Sequence, residues 1–570
     1  MVLLFVLTLF GGRLVQVQGL DGPTTARQAL KKRSATVPLS AHRGDVTDAS
    51  GEVLATSVDR RDILVDQTLV PTYVRVQNGT RTVVGVRGAA EDLSKILHVP
   101  ARELVTRLTG TSRGALLAKG VTPEVARVVR KSPVPGIGLA EASRRDYPGG
   151  TTAANLLGFM SSSGQAFGGV ESAYNTTLAG RPGTLTYERG RDGTRIPTGL
   201  TQEAEPKPGG TLRLTIDRDL QWRTQEMLQA QVTATEAASG DVVIMDAKTF
   251  DVLALATVPT FDPNRPGDDA AVQRNRPLQD VFEPGSTSKV VTLAAALEEG
   301  VVTPETKVTV PNRLPRGGTE FRDSEDHGTE RLTVAGVMAQ SSNIGTILAG
   351  EKVSPERIHR YLRGFGFGER TGVGLPEASG ELAPPGEWSS SQRYTVLFGQ
   401  GVSMTTLQAA GVFATLANDG VRLRPRLIAG VTGADGVFRP SEASPRTQVV
   451  SARTAGQLRL MMENVVGDHG TAAKAAVPGF RVAGKTGTAS AYDPACGCYR
   501  GYVASFVGMA PADAPEVVIA VIIRQPKKGH YGGEVAAPLF RQLMTYTLLQ
   551  RKVPPTGTKA PEIPLTWRTG

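Results

Sequence analysis

The stretch FEPGSTSKVVTLAAALEEG, residues 282–300, sets a Pro-Gly turn before Ser286 and places Lys289 three positions further on. Val290, Leu293, Ala294 and Leu297 then recur at helical spacing and Gly300 ends the run, so a helix is expected to begin beside Ser286. The i, i+3 spacing puts a hydroxyl and an amine on one helix face, close enough to meet. A serine in the first turn also sits where free backbone N–H groups and the helix dipole favour developing negative charge. Alone, the pattern favours a polar helix cap, since S-x-x-K arises about twice by chance in a chain of this length. A lysine of pKa about 10.4 is neutral in only roughly one molecule in 2,500 at pH 7. To act as a base, Lys289 must be desolvated or set beside a second cation, so a catalytic reading demands another positive group nearby.

Two other polar clusters bear on that demand. In QSSNIG, residues 340–345, Ser341, Ser342 and Asn343 interrupt two apolar helical stretches, one through Val334, Val337 and Met338 and one through Ile344, Ile347 and Leu348. Such a break is where side chains are presented into a cleft. In VAGKTGTAS, residues 482–490, small and β-branched residues predict an edge strand, and Gly487 lets another backbone lie alongside. Period 2 puts the hydroxyls of Thr486 and Thr488 on one side, suited to a carboxylate, and Lys485 supplies the missing cation. GFRVAGKT, residues 479–486, also fits the phosphate-loop pattern. Its context does not: a Pro-Gly turn precedes it and no helical periodicity follows.

Outward from these clusters, TLRLTID (211–217) reads as a strand and RDLQWRTQEMLQAQVTATEA (218–237) as an amphipathic helix. GDVVIMDAKTFDVLALATVP (240–259) reads as two strands, GYVASFVGMA (501–510) as another, and EVVIAVII (516–523), apolar throughout, as a central one. Strands from both ends of the segment with helices between them predict an antiparallel sheet flanked by helices over residues 206–552. Before it, residues 19–205 read as an elongated α+β module without a dense apolar core signal. TQEAEPKPGG, residues 201–210, reads as a hinge, and residues 553–570 as a flexible tail.

At 570 residues the chain is an α+β protein of several domains. Its charge of +10 favours an anionic neighbourhood, but the excess is spread thinly, with no arginine-rich helix, zinc-finger spacing or aromatic-basic interleaving, which argues against nucleic acid. Residues 1–18 carry an apolar run from Val2 to Phe10 and are expected to be a membrane anchor whose cytoplasmic flank lies upstream of the first methionine. Cys496 and Cys498 are the only cysteines; a single C-x-C is a poor zinc site, and both a disulfide and free thiols stay open. The six histidines show no metal-ligand spacing; His327, beside Asp326, is not expected to be catalytic.

Jointly, S-x-x-K, S-x-N and K-T-G in this order resemble the signature of penicillin-binding proteins and serine β-lactamases. NRPLQDVFEPGSTSK (275–289), LTIDRDLQ (214–221) and LFGQGVSMTTLQ (397–408) narrow the resemblance to class B penicillin-binding proteins, the monofunctional peptidoglycan D,D-transpeptidases. In the N-terminal module RGDVTDASGEVLATS, RRDYPGG and GGVESAYNTTLAGRPG resemble the family's pedestal motifs, including Arg43, Gly44, Asp48 and Glu171. Ala49 departs from a usual Arg, and Ser288 from a bulkier residue.

The resemblance implies an anchor, a pedestal or dimerisation domain and a β-lactamase-like transpeptidase domain. It implies Ser286 as nucleophile, Lys289 as its base, Ser341 with Lys485 as proton relay, and Asn343 on the stem peptide. Thr486, Gly487 and Thr488 would hold the substrate, and the N–H groups of Ser286 and Thr488 the oxyanion. Its substrate would be a stem pentapeptide ending in D-Ala-D-Ala, its inhibitors β-lactams, and no cofactor or metal is implied. A single-pass membrane protein with an extracytoplasmic catalytic domain, working with a SEDS-type glycosyltransferase and divisome proteins in septation, completes the expectation. An elongation-type paralogue, and a β-lactam sensor or β-lactamase on the same site, are the alternatives.

Overall fold

The computed structural model describes residues 1–20, 22–190, 195–493 and 496–568 of the chain. Val2–Gly19 forms an exposed helical stretch of 18 residues, long and apolar enough to cross a membrane. The helix continues past Phe10 and the glycine pair, and Leu14, Val15 and Val17 keep its surface apolar there.

The C-terminal half is built on a five-stranded antiparallel sheet. Its strands are β1 (Ser239–Asp246), β2 (Val252–Val258), β3 (Ala483–Asp493), β4 (Cys498–Ala510) and β5 (Val517–Arg524), in the order β2-β1-β5-β4-β3. β5 is central and fully buried from Val517 to Ile523, which is why its sequence does not alternate. One face carries α1 (Arg218–Ala234) and a long helix at Ala537–Gln550, where Phe540 meets Phe506 of β4 edge-on at 4.6 Å. A second layer packs on the other face and around β3. It contains α2 (Lys289–Glu298), α3 (Val334–Gln340), α4 (Asn343–Gly350), α5 (Thr406–Ala417) and α6 (Ala452–Val466). Residues Lys289 to Leu297 of α2 are all buried, so this short helix is core on every side.

Three expectations are corrected. Thr211–Leu214 does not join the five-stranded sheet: it pairs with Val46–Thr47 on one side and Ile428–Thr432 on the other, inside a seven-stranded sheet that includes Val53–Val65, Ala115–Val121 and Ile137–Asp146. The hinge is not one, because Thr201–Ala204 is a strand paired with Gly183–Glu188, and Gly209 and Gly210 donate to the carbonyls of His42 and Thr177. Its prolines and glycines serve close packing instead: a Cβ on Gly44 would lie 2.1 Å from the Gly210 carbonyl oxygen. The expected flexible tail is docked, with Ile563 and Leu565 packed on the main core.

The N-terminal module also has a dense core of its own, through Ile63, Val65, Leu93, Leu104, Leu108, Leu117 and Val129. Those residues come from short, widely spaced elements, so the core leaves no dense apolar run in the sequence. Below it, Glu171 is completely buried and held by Arg43 Nε at 2.8 Å and Arg145 Nε at 2.6 Å. Asp48 reaches across the boundary drawn at residues 205/206, accepting from the backbone N–H of Arg218 at 3.1 Å, at the start of α1. Ala49 is exposed and bonds Ile216 through its backbone N–H, so the missing arginine side chain leaves that link intact.

Candidate active site

Gly285–Ser288 forms a 3-10 turn, and the α-helix proper starts only at Lys289. The turn is clamped from two sides. Gly399 lies against it so closely that a Cβ there would stand 2.2 Å from the Gly285 carbonyl oxygen and 2.4 Å from Ser288 Oγ. On the other side a Cβ on Gly487 would meet Pro284 O at 2.9 Å and Thr287 Cγ2 at 3.0 Å. The other backbone expected alongside Gly487 is this turn of the chain itself. The small residue at the middle of K-T-G is thus what brings β3, the outer strand of the sheet, against Ser286.

Ser341 is the meeting point of the two lysines. It ends α3 in the left-handed region at φ 63, an uncommon state for a serine, and Ser342 immediately caps α4 by accepting from Gly345 N at 2.8 Å. Lys485 Nζ donates to Ser341 Oγ at 2.8 Å, and Lys289 Nζ donates to the same oxygen at 3.3 Å and to the Ser341 carbonyl. Both lysines have no exposed surface. Burial pushes the Lys289 amine down to about 7, with the negative charge of Asp323 opposing the shift. Burial also drives Lys485 well below its ordinary value, and the neighbouring Lys289 charge lowers it further. The second cation demanded by the sequence is therefore in place, while desolvation is what makes Lys289 basic chemistry accessible at neutral pH.

One expected contact is absent: no hydrogen bond joins Ser286 Oγ to Lys289 Nζ, whose donors are turned to Ser341. Resting serine sites often have long or poorly aligned catalytic hydrogen bonds that tighten only with substrate bound. Asn343 donates through Nδ2 to Arg322 O at 3.0 Å. Thr486 Oγ1 shares a hydrogen bond with Thr471 Oγ1 at 2.8 Å, and Thr488 Oγ1 accepts from Gly532 N at 3.2 Å, so the K-T-G hydroxyls are oriented by two separate neighbouring segments, a turn and the start of a short helix.

Asp323 was not foreseen. Its Oδ1 accepts from the backbone N–H groups of Asn343 and Ile344, and its Oδ2 from Ser342 Oγ at 2.7 Å, so one carboxylate organises the whole S-x-N turn. The signal available was the i, i+4 pair with His327, whose Nε2 lies 3.2 Å from Asp323 Oδ2; Asp326 instead pairs with Arg313 at 2.7 Å. Ser288 Oγ is buried without a hydrogen-bond partner, in a small apolar cavity against Phe367, Met404 and Phe413. The P-loop reading fails in space, since Lys485 and Thr486 sit within β3 and no helix follows them. Cys496 and Cys498 are disulfide-bonded at the turn between β3 and β4. Among the described residues no group of three His, Cys, Asp or Glu side chains is arranged to hold a metal ion.

A serine held over an outer strand, two buried lysines sharing one hydroxyl and threonines facing the same cleft make an arrangement suited to acyl transfer without a histidine base. Residues 240–545 match the family described as the penicillin binding protein transpeptidase domain, and residues 38–214 the penicillin-binding protein dimerisation domain. The chain is 36% identical to penicillin-binding protein PbpB of Mycolicibacterium smegmatis, over 99% of this chain and 91% of that protein. It is 34% identical to peptidoglycan D,D-transpeptidase FtsI of Escherichia coli, over 98% of this chain and 92% of that protein. A peptidoglycan synthetase from Bifidobacterium adolescentis superposes with a TM-score of 0.76 at 31% identity, over 94% of this chain and 100% of that one. Penicillin binding protein 3 from Mycobacterium tuberculosis, solved with aztreonam, gives 0.71 at 30% identity over the same shares.

Proposed function

The chain belongs to the class B penicillin-binding proteins, and from that premise we propose that it crosslinks peptidoglycan at the division septum through an acyl-enzyme on Ser286. It is a serine-type peptidoglycan D,D-transpeptidase, bound covalently by β-lactams. The observation that carries the residue assignment is the convergence of Lys289 and Lys485 on Ser341 Oγ.

In this reading the Ser286 hydroxyl attacks the carbonyl between the two terminal D-alanines of a stem pentapeptide, and neutral Lys289 takes its proton. An ester to Ser286 forms as the C–N bond to the last D-alanine breaks. The N–H groups of Ser286 and Thr488 hold the oxyanion, where one such donor is worth about 3 to 4 kcal/mol. Ser341, held by Lys289 and Lys485, passes a proton to the departing amine. Asn343 binds the stem-peptide backbone, and Thr486 and Thr488 hold the terminal carboxylate, with Gly487 between them. The amine of a neighbouring stem peptide then attacks the ester, forms the crosslinking amide and returns the proton to Ser286. No residue here requires a cofactor or metal.

Domain limits are proposed at 1–18 for the anchor, 19–205 for the pedestal and 206–552 for the transpeptidase. The apolar helix at Val2–Gly19 supports a single-pass anchor, and a disulfide at Cys496–Cys498 supports an oxidising, extracytoplasmic setting for the catalytic domain. A SEDS-type glycosyltransferase and divisome proteins are the proposed partners, contacting the anchor and pedestal. Depleting the protein tests the septal assignment: filamentous cells support it, and rounded cells overturn it in favour of elongation.

A further inference from the structure

The chain segment that follows the long helix at Ala537–Gln550 runs back across the catalytic half to α3, the helix that ends at Ser341. On the way Thr558 Oγ1 accepts from Arg481 Nη1 at 3.0 Å. Residues 563–568 then lie along the strand Glu330–Thr333, which leads directly into α3. Thr566 is bridged antiparallel to Leu332, the Leu565 carbonyl accepts from Thr333 N at 3.0 Å, and Trp567 N donates to Arg331 O at 3.1 Å. The strand Lys307–Val310 covers the other edge of Glu330–Thr333, so the segment closes the free edge of this two-stranded sheet with one bridge.

Side chains fix the same register. The Trp567 ring lies 5.4 Å from Lys307 Nζ and 5.7 Å from Arg331 Cζ, and its Nε1 donates to Val308 O at 3.3 Å. Thr333 links this segment to the helix: its Oγ1 accepts from Gly336 N at 3.0 Å, capping α3, and donates to Pro564 O at 2.6 Å. Helix and segment are in backbone contact at Gly336, where a Cβ would stand 2.0 Å from the Leu565 carbonyl oxygen. From that contact at Gly336 the rest of the 7-residue α3 runs to Ser341, about 7.5 Å of rigid rod. At its far end the Ser341 carbonyl and hydroxyl receive both lysine amines.

We infer that residues 563–568 are a positioning strap for Ser341, setting the axial placement of α3 and through it the geometry of the lysine pair. The inference rests on the acyl-transfer reading above. A displacement of the reacting groups by about 1 Å is enough to cost on the order of 100-fold in rate, so a strap about 7.5 Å away along the helix has leverage over chemistry without touching substrate.

The test uses the full chain, a form stopped after Val553, Trp567→Ala and Trp567→Phe. Stopped-flow labelling with a fluorescent penicillin separates the non-covalent Kd from the first-order acylation constant. The stopped form and Trp567→Ala should lose about tenfold or more in the acylation constant with Kd within about twofold. Trp567→Phe, which keeps a ring between Lys307 and Arg331, should stay near the full chain, and a synthetic peptide spanning residues 554–570 should restore the stopped form. Unchanged acylation in the stopped form overturns the strap. If the stopped form fails to fold, Trp567→Ala carries the test, and wild-type acylation there, or a loss confined to Kd, overturns it equally. Absence of labelling in the full chain would instead overturn the acyl-transfer reading itself.

Discussion

Replacing Lys289 by methionine should stabilise the protein while abolishing its chemistry, and the size of the effect follows from burial. The amine has no exposed surface and its pKa falls from 10.5 to about 7 on folding. A lysine depressed in the folded state carries its penalty in full below the folded pKa, and the penalty fades as pH rises towards the unfolded value. By linkage the penalty is about 5 kcal/mol at pH 6 and about 1 kcal/mol at pH 9.5. Loss of the two hydrogen bonds to Ser341 offsets about 2 kcal/mol at either pH. Lys289→Met should therefore melt about 5 °C higher than wild type at pH 6, with the difference gone or slightly reversed at pH 9.5. Calorimetry of both proteins at the two pH values gives the answer. A variant no more stable at pH 6, or a difference that does not change with pH, would refute the claim that desolvation sets the lysine's basicity.

The same depressed pKa fixes a rate profile: acylation should rise about tenfold per pH unit below 7 and level off above it, whereas a rise continuing to pH 10 would mark an ordinary lysine. Gly487→Ala puts a Cβ 2.3 Å from Ser505 Oγ and 2.9 Å from Pro284 O, so β3 must part from the Ser286 turn; acylation should fall by about tenfold or more, and wild-type labelling would show the contact is not needed. Glu171→Gln removes the one negative charge between Arg43 and Arg145 and should cost about 3 to 5 kcal/mol in the N-terminal module, read as an earlier calorimetric transition.

The chemistry was legible because it is local. Ser286 and Lys289 share one turn, Ser341 and Asn343 share another, and Lys485 through Thr488 lie on one strand, each with a physical signature. Their meeting was inferred from the base's need for a second cation, and the structure places both amines on one hydroxyl. What the sequence hid is long-range. Asp323 lies 20 residues before the Asn343 backbone it organises, and its only local mark, the i, i+4 spacing to His327, does not point to that turn. Thr211–Leu214 has the alternation of any strand, but its partners are distant segments on either side, which periodicity does not report. Residues 563–568 look loose because proline and threonine dominate what precedes them, while their order comes from the edge of Glu330–Thr333. Ser288 remains a departure with a structural trace, a buried hydroxyl without a partner where a bulkier residue would fill the cavity.

The central claim is a covalent acyl-enzyme on Ser286, and mass spectrometry of the full chain after treatment with a penicillin measures it directly. One adduct should appear, on the peptide containing Ser286, and vanish in Ser286→Ala. No adduct on the wild-type chain, or one that survives that substitution, would contradict the account.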